Sequence, residues 1–122
     1  MKNFINWFEI PANDLDRAVN FYERVLNTEI QRVELFGTKM GMLSSDGDNV
    51  SGAIVKGEDY KPSTSGTLIY LNAGNDLQIA LSKVEENGGK ILLPKTQISP
   101  EMGYFALFLD TEGNKLAFHS IH

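Results

Sequence analysis

Asp14-Leu15 and Asp76-Leu77, 62 positions apart, each stand between an apolar stretch and an amphipathic one. In the first copy, Trp7 to Asn27 reads as a buried strand, a polar turn and a helix. Asp14 suits the N-cap, because its carboxylate can accept from the free N–H groups of the first turn. Leu15, Ala18, Val19, Tyr22, Val25 and Leu26 recur at spacings of three and four, which gives one apolar face. Asn27 can take the left-handed conformation that stops a helix. In the second copy Thr67 to Leu71 reads as the strand. Leu77, Ala80, Leu81 and Val84 form the second stripe, closed by Asn87-Gly88-Gly89. The expected helices are therefore 14–27 and 76–87. Two copies are too few for a solenoid, so the repeat predicts two modules packed on each other.

The segments between fill in each module. Thr28 to Leu35 carries β-branched residues and reads as a strand, broken at Phe36-Gly37. Lys39 to Leu43 is the next strand, Ser44 to Asn49 a turn, and Val50 to Val55 a fourth strand. Asp46-Gly47-Asp48-Asn49 lacks the glutamate at position twelve that a calcium loop needs, so it reads as a turn. Residues 57–65 are polar, contain Pro62, and make a linker between a first module at 1–56 and a second at 66–122. Lys90 to Leu93 is a strand interrupted by Pro94, which marks an edge or a bulge. Gly103 to Leu109 is nearly all apolar and must be largely buried; Asp110 to Asn114 is a hairpin turn, and Lys115 to Ser120 the closing strand. The fold class is α+β: two repeated strand–helix–three-strand modules forming an incomplete barrel around a cleft, a shape in which small ligands bind.

At 122 residues the chain is one domain, large enough for a real core. Its net charge of -5 argues against nucleic acid or an anionic membrane surface as partner. The absence of cysteine excludes disulfides, thiolate catalysis and thiolate metal sites. No apolar run approaches the roughly 20 residues that span a bilayer. Nor does a signal peptide stand before the first strand, so a cytoplasmic protein is expected.

The duplicated plan resembles the vicinal oxygen chelate superfamily, which includes glyoxalase I, extradiol dioxygenases and bleomycin-resistance proteins. The residues that carry the likeness are Ile10 to Tyr22, Leu109 to Lys115, and Gly88-Gly89-Lys90. Enzymes of that family hold a divalent metal with His, Glu or Gln from the first and last strands of each module. Their first-strand ligand lies seven residues before the helix-opening aspartate, which here is Trp7. The repeat sets Ile69 at the matching point of the second module. The last-strand position falls on Ala117, and its counterpart in the fourth strand on Gly52 or Ala53. None of these side chains offers the oxygen or imidazole donor that such cations require, so no metal cofactor is expected. The resemblance also implies a homodimer, as do the unpaired sheet edges that such modules leave.

Strand alternation sets Glu9 on the face of Trp7, and His119 on that of Ala117, so Trp7, Glu9, Ala117 and His119 are expected to line one cavity. Glu9 and His119 are the candidate catalytic residues, as an acid–base pair; alternatively they satisfy each other, or a backbone group, inside the barrel. Trp7, Met42, Tyr104 and Ala117 are the candidate ligand-binding residues, with Met40, Met102 and Phe118 suited either to an adaptable apolar pocket or to ordinary core. The function expected is a glyoxalase-like protein that binds a small organic molecule without the usual metal site. Two alternatives stand beside it. One is a lyase, isomerase or dioxygenase of the same superfamily that depends on a divalent metal. The other is a non-catalytic interaction module with a filled cleft.

Overall fold

The computed structural model describes residues 4–43 and 50–122. The turn expected over Ser44 to Asn49 lies outside the described residues. The first module runs β1 (Trp7–Pro11), α1 (Leu15–Leu26), β2 (Ile30–Leu35), β3 (Thr38–Leu43) and β4 (Ser51–Lys56). The second runs β5 (Tyr70–Asn72), α2 (Leu77–Leu81), a 3₁₀ turn (Glu85–Asn87), β6 (Lys90–Ser99), β7 (Gly103–Leu109) and β8 (Lys115–Ser120). Their four-stranded sheets have orders β1-β4-β3-β2 and β5-β8-β7-β6, so in both the last strand returns to lie parallel beside the first. This is the expected α+β plan of two repeated modules, and the sheets leave the barrel incomplete.

The first helix ends where its sequence says. The Asp14 carboxylate accepts the Arg17 N–H at 3.1 Å, and Asn27 stops the helix at φ 50. The second helix is shorter than the expected 76–87. Asp76 caps it through the Gln78 N–H at 2.9 Å, but the Ser82 hydroxyl bonds back to the Ile79 carbonyl and competes with the helical ladder. The bonds then tighten to three-residue spacing at Lys83 and Val84, and the chain turns off at Gly88 with φ 98. Two strands also differ from expectation. Only Tyr70–Asn72 forms β5, in place of Thr67 to Leu71. The sixth strand does not stop at Pro94 but continues to Ser99 through register shifts on either side of it. As an edge strand, it can lose the proline N–H without breaking a ladder.

One core joins the modules. Ile10 and Ile54 from the first sheet, Leu71, Phe108 and Phe118 from the second, and the apolar faces of both helices belong to a single buried cluster. Phe108 stacks on Phe118 at 4.3 Å between centroids, and Phe21 of α1 reaches Phe108 at 6.2 Å. Ala53, Val55 and Ala117 are also fully buried yet stand outside that cluster, on the opposite faces of the sheets. Each sheet therefore has an inner face in the shared core and an outer face turned away from it.

The β7–β8 turn locks the modules together. The buried Glu112 carboxylate accepts the N–H groups of Asn13 and Asp14, both at 2.8 Å, and pairs with Arg17 at 2.7 Å. Burial pushes its pKa up, but the hydrogen bonds from Arg17, Asp14, Thr111 and Asn13 outweigh that and hold it below the usual carboxylate value. Beside it, the Tyr22 hydroxyl donates to Asp110 at 2.7 Å; burial and the adjacent carboxylate push that phenol well above its ordinary range. Asn114 donates to the Pro11 carbonyl at 2.7 Å.

Candidate functional site

The two sheets correspond strand by strand through their ladders. Ala12 N–H bonds Val55 C=O, and Ala73 N–H bonds His119 C=O in the same way. Ile10 lies opposite Ile54, and Leu71 opposite Phe118. The strand offset between modules is therefore 61 residues, whereas the helix-opening aspartates are 62 apart. One extra residue sits in the loop Ala73-Gly74-Asn75, and counting back from Asp76 overshoots by one. The counterpart of Trp7 is consequently Leu68, not Ile69; Ile69 packs against the core instead. Likewise Glu9 matches Tyr70, Val55 matches His119, and Met40 matches Phe105.

The Gly52-or-Ala53 alternative is resolved by the same ladder. A Cβ on Gly52 would lie 2.7 Å from the Phe8 ring, on the inner side. Ala53, opposite Met42, takes the outer position, equivalent to that of Ala117 opposite Leu107 in the second module. The four positions where a metal ligand would be sought are thus Trp7, Leu68, Ala53 and Ala117. An indole, an isobutyl group and two methyl groups do not fit a divalent cation. Among the described residues no three His, Asp or Glu side chains converge where they could hold one.

The acid–base candidates do not meet within the chain. Glu9 accepts the Tyr60 hydroxyl at 2.9 Å, which raises that phenol's pKa, and it borders a groove with Lys61 and Ile69. His119 Nε2 lies 2.7 Å from the Met102 carbonyl and lines a different cavity. Trp7 stands 43% exposed on the first sheet's outer edge, and Met42 is half-buried on the same face. Ala117 is fully covered. Tyr104 packs against the core, with Lys95 Nζ 4.6 Å above its ring, so its neighbour Phe105 takes the outer position. Phe118 is core.

What the chain does assemble is a cavity of about 660 Å³ on the outer face of the second sheet. Tyr70, Phe105, Ile98 and Met102 supply apolar walls, and Asn72 and His119 the polar edge. Tyr70 and Phe105 stand 6.3 Å apart between ring centroids. Of these, Tyr70, Asn72, Phe105 and Ile98 escaped the sequence reading. Phe105 could be found only by knowing that it pairs with His119. Tyr70 and Asn72 were hidden by the one-residue overshoot.

The family model of the Glyoxalase/Bleomycin resistance protein/Dioxygenase superfamily matches residues 4–118. A glyoxylase-like domain-containing protein of Didymella fabae is 33% identical over 115 residues, which cover 90% of this chain and 88% of that protein. A glyoxylase/bleomycin resistance protein/dioxygenase domain from Frankia superposes with a TM-score of 0.74 at 15% identity, covering 98% of this chain and 92% of that one. A glyoxalase I mutant from Zea mays gives 0.73 at 21% identity, over 94% of this chain and 46% of the maize chain. This chain therefore spans about half the length of that enzyme.

Proposed function

Because the chain belongs to the glyoxalase/bleomycin resistance protein/dioxygenase superfamily, we propose that it is a small-molecule-binding protein that works without the metal site of the superfamily's enzymes. The observation that carries this is the pairing of two facts on the outer faces. The donor positions hold Trp7, Leu68, Ala53 and Ala117, while a roomy apolar cavity with a polar edge lies on the second sheet. A cavity of that size suits a small organic molecule.

The functional cleft forms between two copies. Both helices and both inner sheet faces are spent on the chain's own core, which leaves each outer face without a helix over it. Trp7 and Tyr70, 43% and 51% exposed, mark those faces. Setting the first sheet of one copy over the second sheet of another would close two equivalent clefts, each with Trp7 and Glu9 from one chain facing Ala117 and His119 from the other. Such an isologous pairing also closes the assembly at two.

Light scattering should give about 27 kDa, twice the chain mass of 13.6 kDa. Trp7→Asp and Phe105→Asp should each weaken the dimer at least ~30-fold while leaving the far-ultraviolet spectrum intact. Metal analysis after dialysis should find no stoichiometric zinc, nickel, iron or manganese. A monomer at micromolar concentration would remove the between-chain cleft, and a retained metal bound through Glu9 or His119 would remove the metal-free function.

A further inference from the structure

On the outer face of the second sheet, Asn72, His119 and Phe105 stand abreast on three adjacent strands. Asn72 is opposite His119 across β5 and β8, and Phe105 is opposite His119 across β7 and β8. Side chains paired in this way share a face and lie within reach of one ligand. The next row on the same face holds Tyr70 and Ala117, of which Tyr70 lines the cavity and Ala117 is fully covered.

The hydrogen bonds already made decide which polar atoms are left. Asn72 Oδ1 accepts the Gly74 N–H at 2.9 Å, which fixes the amide so that its NH2 group remains to donate. His119 Nε2 faces the Met102 carbonyl at 2.7 Å, and a carbonyl can only accept. Nε2 therefore carries the proton, and in the neutral ring Nδ1 is an acceptor. The Ser120 hydroxyl is used up, taking the Leu77 N–H and donating to the His122 carbonyl. The Asn72 NH2 group and His119 Nδ1 thus stand side by side, with the Tyr70 hydroxyl in the same wall, and no Lys, Arg, Asp or Glu lines the cavity.

We propose that this cavity recognises a planar, uncharged aromatic carboxamide or lactam. The ligand's carbonyl accepts from the Asn72 amide, its N–H donates to His119 Nδ1, and its ring lies against Tyr70 and Phe105. A carboxylate in its place would meet the His119 lone pair and no cation. An ammonium would meet no carboxylate, and a plain hydrocarbon would leave both polar groups unpaired on closure, which costs affinity. The proposal rests on the cleft described above being the binding site.

The test uses the full chain, labelled with ¹⁵N, titrated with benzamide, benzoate and toluene, following the Asn72 side-chain NH2 and the backbone amides of Tyr70, Phe105 and His119. Benzamide should shift these signals and bind at least ~10-fold tighter than either other probe. Asn72→Leu, on an exposed edge strand, and His119→Phe should each weaken benzamide about 10-fold and leave toluene unchanged. If benzoate or toluene binds as well as benzamide, or if both variants keep full benzamide affinity, amide recognition is wrong while the cleft stands. If none of the three perturbs this face, the cleft itself is misassigned and the amide proposal falls with it.

Discussion

The two modules match on one face and differ on the other. On the inner faces the counterparts are Ile10 and Leu71, Ile54 and Phe118, Gly41 and Ala106, all apolar or small and all buried. On the outer faces they are Glu9 and Tyr70, Pro11 and Asn72, Val55 and His119, Met40 and Phe105. The inner residues interlock with helices from both halves, where a misplaced methylene costs stability, so their chemistry is confined to a narrow choice. The outer residues meet no helix, only neighbouring strands and loops, as Glu9 does at Tyr60 and His119 at the Met102 carbonyl. On the second sheet's outer face Asn72 and His119 stand where the first sheet has Pro11 and Val55.

The largest expected effect tests whether the halves are truly one unit. Glu112→Ala removes the carboxylate that takes two N–H groups at the start of α1 and pairs with Arg17. It should cost about 3 kcal/mol and lower the urea midpoint within a single transition. Two separate transitions, or a loss below ~1 kcal/mol, would show modules that fold alone. The pH dependence has a definite sign. Because the folded pKa of Glu112 lies below its ordinary value near 4.5, the stabilisation is present above that pH and is lost as pH falls through the lower folded value. Glu112→Gln should flatten this acid limb.

A smaller effect distinguishes the two inner faces. A Cβ on Gly41 would sit 2.7 Å from Val19 Cγ2 and 2.9 Å from Ile30 Cγ2, whereas its counterpart Ala106 already carries a methyl group. Gly41→Ala should destabilise by about 1–3 kcal/mol through overpacking. Ala106→Gly should cost about 1 kcal/mol through lost burial and strand entropy. Thermal denaturation that ranks them the other way would show that the second module's inner face is the tighter of the two.

The smallest concerns the helix ends, again 61 residues apart. Asn27 and Gly88 both take left-handed backbone, at φ 50 and φ 98. Asn27→Gly should change stability by less than ~0.5 kcal/mol, and Gly88→Ala should lower it by about 1 kcal/mol. Equal effects at both would mean that the two caps are not equivalent in kind.

The fold was legible because its signals are local and repeated: the Asp14 cap, the 3.6-residue stripe, the Asn27 stop and the β8 alternation are each written within a dozen residues. The site was legible only in part. Alternation along one strand is enough to set Trp7 with Glu9 and His119 with Ala117, but not to say that these faces turn away from the chain's own core. Ile69 was placed one residue off because a single extra loop residue is invisible until the strand ladders are compared. Tyr104 reads as a pocket residue and its neighbour Phe105 does not stand out, because only pairing with His119 says which of the two faces outward. The separation of Glu9 from His119 depends on which faces the helices bury together, a property of the packed pair of sheets that no stretch of sequence states.

The reach of Glu112 has a consequence for how the chain is made. The N–H groups it satisfies belong to residues 98 and 99 positions earlier, and Tyr22 waits 88 positions for Asp110. At a synthesis rate of ~5–20 residues per second, the first helix leaves the ribosome roughly 5–20 s before its final partner exists. During that interval the nascent first module holds its inner apolar face open, and the closing contact must be found across a long loop. Folding is therefore tied to the arrival of the β7–β8 turn, and that is the window in which a chaperone would meet this chain.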